Sequence, residues 1–141
     1  MNSILGFKDE YRWLSNFTPV VVEMSWNEYP SVEHAYQASK THDPLLRKKI
    51  AMSTAGDAKR MGPKVDNDWR AEIGTKVMYD LLLQKFSQEP FKSQLLATGD
   101  AYIEETNWWK DVFWGVCDGV GENRLGKMIM EIRSHLRSIQ D

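Results

Sequence analysis

The chain has 141 residues, a formal net charge of −2 and six tryptophans. That length fits one domain whose core buries roughly two-thirds of the unfolded surface, and the near-neutral charge excludes a broad basic face for coating nucleic acid while leaving room for a one-phosphate pocket. A single cysteine, Cys117, excludes an internal disulfide, no run reaches the roughly 18 apolar residues of a membrane span, and the N-terminus lacks a signal-peptide pattern, so the expected setting is the cytoplasm.

In chain order, residues 4–7 and 20–23 read as extended segments, with Pro19 and the Asn27-Glu28 pair as punctuation. Ser31 then caps a helix that opens at Val32 and places Glu33 in its first turn, where the helix dipole favours a carboxylate. From Glu33 the helical period stacks Tyr36, Gln37 and Lys40 on one face, so a carboxylate, a phenol, an amide and an amine share about two turns. A solvated face shows simple Glu/Lys pairs and a core face is apolar; this mixture fits either a pocket wall or a buried polar network. Asp43-Pro44 opens a helix over residues 45–52, and Thr54 with Asp57 matches a capping box for a short helix stopped by Gly62-Pro63. Trp69, Ile73, Val77, Leu81, Leu82 and Phe86 recur at helical spacing and predict the longest helix, from Asn67 to before Pro90. A shorter helix over 90–98 closes at Gly99. Residues 102–105 and 112–116 have strand character and flank a polar, tryptophan-bearing loop at 106–111. The last helix, 123–138, aligns Leu125, Met128, Ile129, Ile132, Leu136 and Ile139 as a core stripe. Without repeats or linkers, residues 1–141 read as one α+β domain, several helices around a small β-sheet.

Several groups have the chemistry of a ligand site. Trp13, Trp108 and Trp109 stand among polar residues, as half-buried core members or as flat surfaces that grip a heterocyclic base. The glycine-rich run at 117–126 opens a helix, which suits either an anion-binding loop or a tight turn. Within it, Asn123 and Arg124 are candidates; an arginine in a first helical turn opposes the dipole and so is expected to pair with a carboxylate or a phosphate. Lys59, Arg60 and Lys64 surround Gly62-Pro63, either as a phosphate grip or as a solvated loop. Asp111, between Trp109 and Trp114, is a second carboxylate placed among indoles, a setting suited to acid/base work. The three histidines show no metal-ligand spacing with one another or with Cys117.

Taken together, WLSNFTP (13–19), YPSVEHAYQASK (29–40), KRMG followed by Trp69, KDVFWG (110–115) and GENRLGKMIMEIR (121–133) resemble the NADAR, or YbiA-like, family of N-glycosidases, in the family's order and over nearly the whole chain. The resemblance implies the family's α+β fold and cleavage of an N-glycosidic bond between a base-like group and ribose phosphate or ADP-ribose. Known members act on early phosphorylated intermediates of riboflavin synthesis or remove ADP-ribose from guanine. Carried over by position, the family's acid falls on Glu33, its tryptophan on Trp69 and its second acid on Asp111. Lys40 matches a lysine suspected of forming a Schiff base with the sugar. Asn16, Tyr36, Arg60, Lys64, Trp114, Asn123 and Arg124 are the further residues expected to contact substrate. The segment MGPKVDNDW is short and poor in basic residues beside the riboflavin-intermediate enzymes. The expected partner is a small phosphorylated, ribosylated substrate, with ADP-ribosylated guanine in a nucleotide or DNA as the alternative; no metal, redox cofactor or membrane is called for. A non-catalytic module that binds ADP-ribose is the rival from another class.

Overall fold

The computed structural model describes residues 2–140, which form two units: Asn16–Lys85, and the described residues on either side of that segment. Seven α-helices and three two-stranded sheets among the described residues make the fold α+β.

In the unit Asn16–Lys85, β2 (Val22–Met24) and β3 (Asn27–Tyr29) form an antiparallel hairpin with Val22 opposite Tyr29. Its turn is Ser25-Trp26, both left-handed at φ 52° and 71°, the geometry that suits a two-residue hairpin. Asn27 and Glu28, expected as punctuation, are therefore strand residues, because pairing with β2 satisfies their backbone groups. Three capped helices follow: α1 (Val32–Ala38), α2 (Pro44–Ala51) and α3 (Ala55–Met61), whose caps Ser31, Asp43 and Thr54 accept from the N–H groups of His34, Leu45 and Asp57. Helix α1 packs against α2, α3 and the hairpin, and all seven of its residues are buried.

The long helix expected from Asn67 is interrupted. A single turn, α4 (Asn67–Trp69), runs into a π-helical turn at Arg70–Gly74 and then into α5 (Thr75–Phe86). One extra residue per turn shifts the helix phase. Ile73, expected in the core stripe, is half exposed, while Gly74, Met78, Leu81 and Leu82 are buried.

In the other unit, β1 (Ser3–Leu5) lies parallel to β4 (Tyr102–Glu104), and α7 (Arg124–Ser138) packs on β4 and on α6 (Phe91–Ala97). Its core holds Leu14, Leu95, Ile103, Ile129, Ile132 and Leu136. Ile139, expected on the α7 stripe, follows the last helical turn and is exposed. The strand expected over 112–116 shrinks to β6 (Val116–Cys117), paired parallel with β5 (Thr106–Asn107), part of the expected loop. Asp111 Oδ1 accepts from the N–H groups of Phe113 and Trp114, which folds the intervening chain into a turn. No helix among the described residues is long and apolar enough to cross a membrane.

Candidate functional site

Helix α1 carries the expected acid Glu33 with Tyr36 and Gln37. The Glu33 backbone N–H donates to Asn16 O at 3.0 Å, and its side chain is 8% exposed. Glu33 Oε2 accepts from Gln37 Nε2 at 2.6 Å, a contact between successive turns of the helix. Burial raises the Glu33 pKa, opposed by the Gln37 hydrogen bond and by the positive fields of Lys59, Lys40 and His34. Its neighbour on the chain has a different role. His34 Nε2 lies 2.7 Å from Ser53 O, a carbonyl that can only accept, and Nδ1 faces Ser31 Oγ, so this histidine locks the helix start to the chain before α3.

Lys40 follows α1 in the next turn, where its N–H donates to Gln37 O, and its Nζ lies 5.1 Å from the centre of the Tyr36 ring. Burial lowers its pKa, Glu33 opposes that shift, and Arg70 and Lys59 add to it. Lys40 and Lys59 therefore lie in the field of the buried acid, and Arg70 in that of Lys40. Arg70, the first residue of the π turn, carried no signal in the sequence. Lys59 was legible as one member of the basic cluster, and its Nζ stands 6.0 Å over the Phe17 ring.

Beside these groups Trp69 and Tyr36 form an aromatic pair, ring centres 6.2 Å apart at 53°. Gly74 explains how the two rings fit. A β-carbon there would lie 2.9 Å from Trp69 Cζ3 and 3.2 Å from Tyr36 Oη, too close for both to stay. The π turn thus brings Gly74 to the ring pair, a contact that an uninterrupted helix would rotate away. Asn16 completes this side; its Nδ2 approaches Met78 Sδ at 3.6 Å, and its buried Oδ1 has no hydrogen-bond partner.

The remaining expected contacts are placed differently. Arg60 is exposed and pairs with Asp57 one turn back on α3, and Lys64 is exposed. In the other unit, Asp111 uses Oδ1 as a turn cap, and Trp114 stacks edge-on against Phe113 at 4.8 Å. Asn123, expected to touch ligand, is 2% exposed: its Nδ2 donates to Ile103 O and its Oδ1 accepts from Glu105 N, so its amide ties the start of α7 to β4 and the chain after it. Arg124 pairs with Glu122 at 3.0 Å, the carboxylate alternative, and stacks 4.3 Å over Phe113. Trp108 and Trp109, both exposed, stack edge-on, and the half-buried Trp13 stands edge-on to Phe86, a core contact.

Comparison with known proteins bears on this arrangement. The NADAR domain model matches residues 6–137. A riboflavin biosynthesis protein of Vibrio vulnificus is 37% identical over 92% of the chain, which spans only 36% of that relative's length. The N-glycosidase YbiA of Escherichia coli is 34% identical over 96% of the chain and 89% of its own. The NMR structure of E. coli YbiA superposes with a TM-score of 0.82, covering 98% of this chain and 88% of that one at 32% identity.

Proposed function

We propose, from the premise that this chain belongs to the NADAR family and is a hydrolase of N-glycosyl bonds, that its Glu33 wall cleaves the C1′–N bond between a base-like group and ribose phosphate. The observation that carries the reading is the buried Glu33 carboxyl, held against Gln37 on α1, whose pKa burial raises, a shift that favours the protonated acid. The leaving nitrogen takes that proton, the sugar passes through an oxocarbenium-like state, and water adds at C1′ and returns a proton to Glu33. Products are the free base and the sugar phosphate. Trp69 offers a flat face to the planar leaving group, and the cations Lys40, Lys59 and Arg70 suit the phosphate. For Asp111 the proposal is limited to its Oδ2, which makes no hydrogen bond among the described residues: Asp111→Asn keeps the turn cap at Oδ1, and a rate loss in that folded variant assigns the charge a part in turnover. The reducing cytoplasm, which keeps the buried Cys117 a thiol, is the proposed place of work.

A second reading of Lys40 rests on its half-buried amine beside the Tyr36 ring, whose pKa burial lowers, a shift that favours the free amine. The amine displaces the base at C1′ and the base departs with a proton; the C1′–O4′ bond of the resulting glycosylamine then opens, O4′ taking the proton lost by the nitrogen, to give a Schiff base that water hydrolyses to the free sugar and the Lys40 amine. Borohydride during turnover then leaves a mass increase on the Lys40 peptide. No adduct, with full activity in Lys40→Arg, returns Lys40 to a charge contact.

The test of the whole reading supplies an aminopyrimidine ribosylamine 5′-phosphate and, in parallel, an ADP-ribosylated guanine nucleotide, and measures free base. Release from the first is expected. Release from the second alone moves the substrate to ADP-ribosyl-guanine, and thermal stabilisation with both ligands intact leaves a binding module.

A further inference from the structure

We propose that Gln37 is a positioning residue that decides which oxygen of Glu33 carries the acid proton, an inference that rests on the reading of Glu33 above. Gln37 Nε2 donates to Glu33 Oε2 at 2.6 Å. An oxygen that accepts an N–H is the carbonyl-like oxygen of a neutral carboxyl, so the proton is directed to Oε1. Oε1 makes no hydrogen bond among the described residues, which leaves its proton for a leaving nitrogen.

The reverse orientation of the amide would defeat this. With Gln37 Oε1 turned toward the acid, the carboxyl proton would be held in a hydrogen bond inside the protein. The structure shows what opposes the flip. Gln37 is 5% exposed, and its Oε1 lies where a β-carbon on Gly62 would overlap it, with no hydrogen-bond partner of its own. That space, set by the glycine ending α3, is tight enough to receive a bare carbonyl oxygen, and the bulkier NH2 group would crowd the Gly62 backbone. Gln37 thus ties the end of α3 to the orientation of the acid on α1, and a side chain at position 62 is predicted to disturb the reaction without touching substrate.

The same bond acts in the ionised state, where it lowers the Glu33 pKa against the effect of burial. Removing it raises the affinity of Glu33 for its proton while leaving that proton undirected. Gln37→Leu, close in shape and without either polar end, is therefore expected to lower kcat/KM on the aminopyrimidine ribosylamine phosphate about 10-fold or more and to move the alkaline limb of the pH profile upward. Gly62→Ala, which pushes the amide off Glu33, is expected to move the limb in the same direction. Gln37→Met replaces Gln37→Leu if the latter fails to fold, as judged by its thermal melt. A folded Gln37 variant with the parental rate, or with a lower rate and an unmoved limb, overturns the inference. Glu33→Gln in parallel separates the two claims: if it keeps the parental rate, the reading of Glu33 fails, and if it is inactive while the Gln37 variants behave as parent, only the role of Gln37 fails.

Discussion

Helices α1 and α7 solve opposite problems. Helix α7 is amphipathic: Leu125, Met128, Ile129, Ile132 and Leu136 are buried, and most of its polar residues face water. Its buried Arg133 reaches Thr98 Oγ1 at 2.9 Å, so even this exception is hydrogen-bonded. Helix α1 has no exposed face, and Glu33, His34 and Gln37 are buried along with the apolar residues. Burying an ionisable group costs free energy unless its partners repay it, so α1 gives up stability to hold an acid in a shifted state. The two helices therefore predict different kinds of damage.

The largest effect is expected in α7. Ile129→Ala removes a fully buried side chain and should cost roughly 2–5 kcal/mol in denaturant unfolding, while turnover per folded molecule stays near parent. A comparable loss of turnover in folded protein would erase the contrast.

In α1 the signs reverse. Glu33→Gln is expected to lower the rate by about 10²-fold or more and yet to melt higher at neutral pH. The sign follows from the raised pKa. Between its unfolded value near 4.5 and its folded value, the native state binds more protons, so the stability contributed by Glu33 is full below the window and is lost as pH rises through it. The gain in melting temperature of Glu33→Gln should therefore shrink as pH falls toward 4.

Lys85 on α5 extends the comparison to a buried base. Its side chain is fully buried, and burial pushes its pKa down from 10.5 to about 7. For a depressed base the unfolded state binds more protons between those values, so parent stability rises with pH across the window. Lys85→Met should stabilise by roughly 1–4 kcal/mol at or below pH 7, with the gain fading toward pH 10.5. A gain independent of pH would mean that packing, not charge, sets the cost.

The smallest effect sharpens the contrast at the aromatic wall. Trp69→Ala is expected to lose roughly 1–3 kcal/mol of affinity for a ligand with a planar base, read by titration of folded variant. A loss of melting temperature with unchanged affinity would place Trp69 with the α7 residues, as packing.

What the sequence determined is what local chemistry and period can encode. The caps Ser31, Asp43 and Thr54 mark helix starts because their side chains satisfy N–H groups two or three residues on, and the α7 stripe marks its own buried face. The five motifs identified the family and placed Glu33, Tyr36, Gln37 and Lys40 on neighbouring turns. Tertiary structure decided the rest, because burial and phase depend on residues distant in sequence. The π turn exposed Ile73 and brought Gly74 against Trp69 and Tyr36, although a continuous helical period matched the residues better. Pairing with β2 made Asn27 and Glu28 a strand, and contacts with Ile103 and Glu105 turned Asn123 from a candidate ligand contact into a strut. The proton affinity of Glu33 likewise follows from the water excluded around it and the charges gathered beside it, neither of which a helical period specifies.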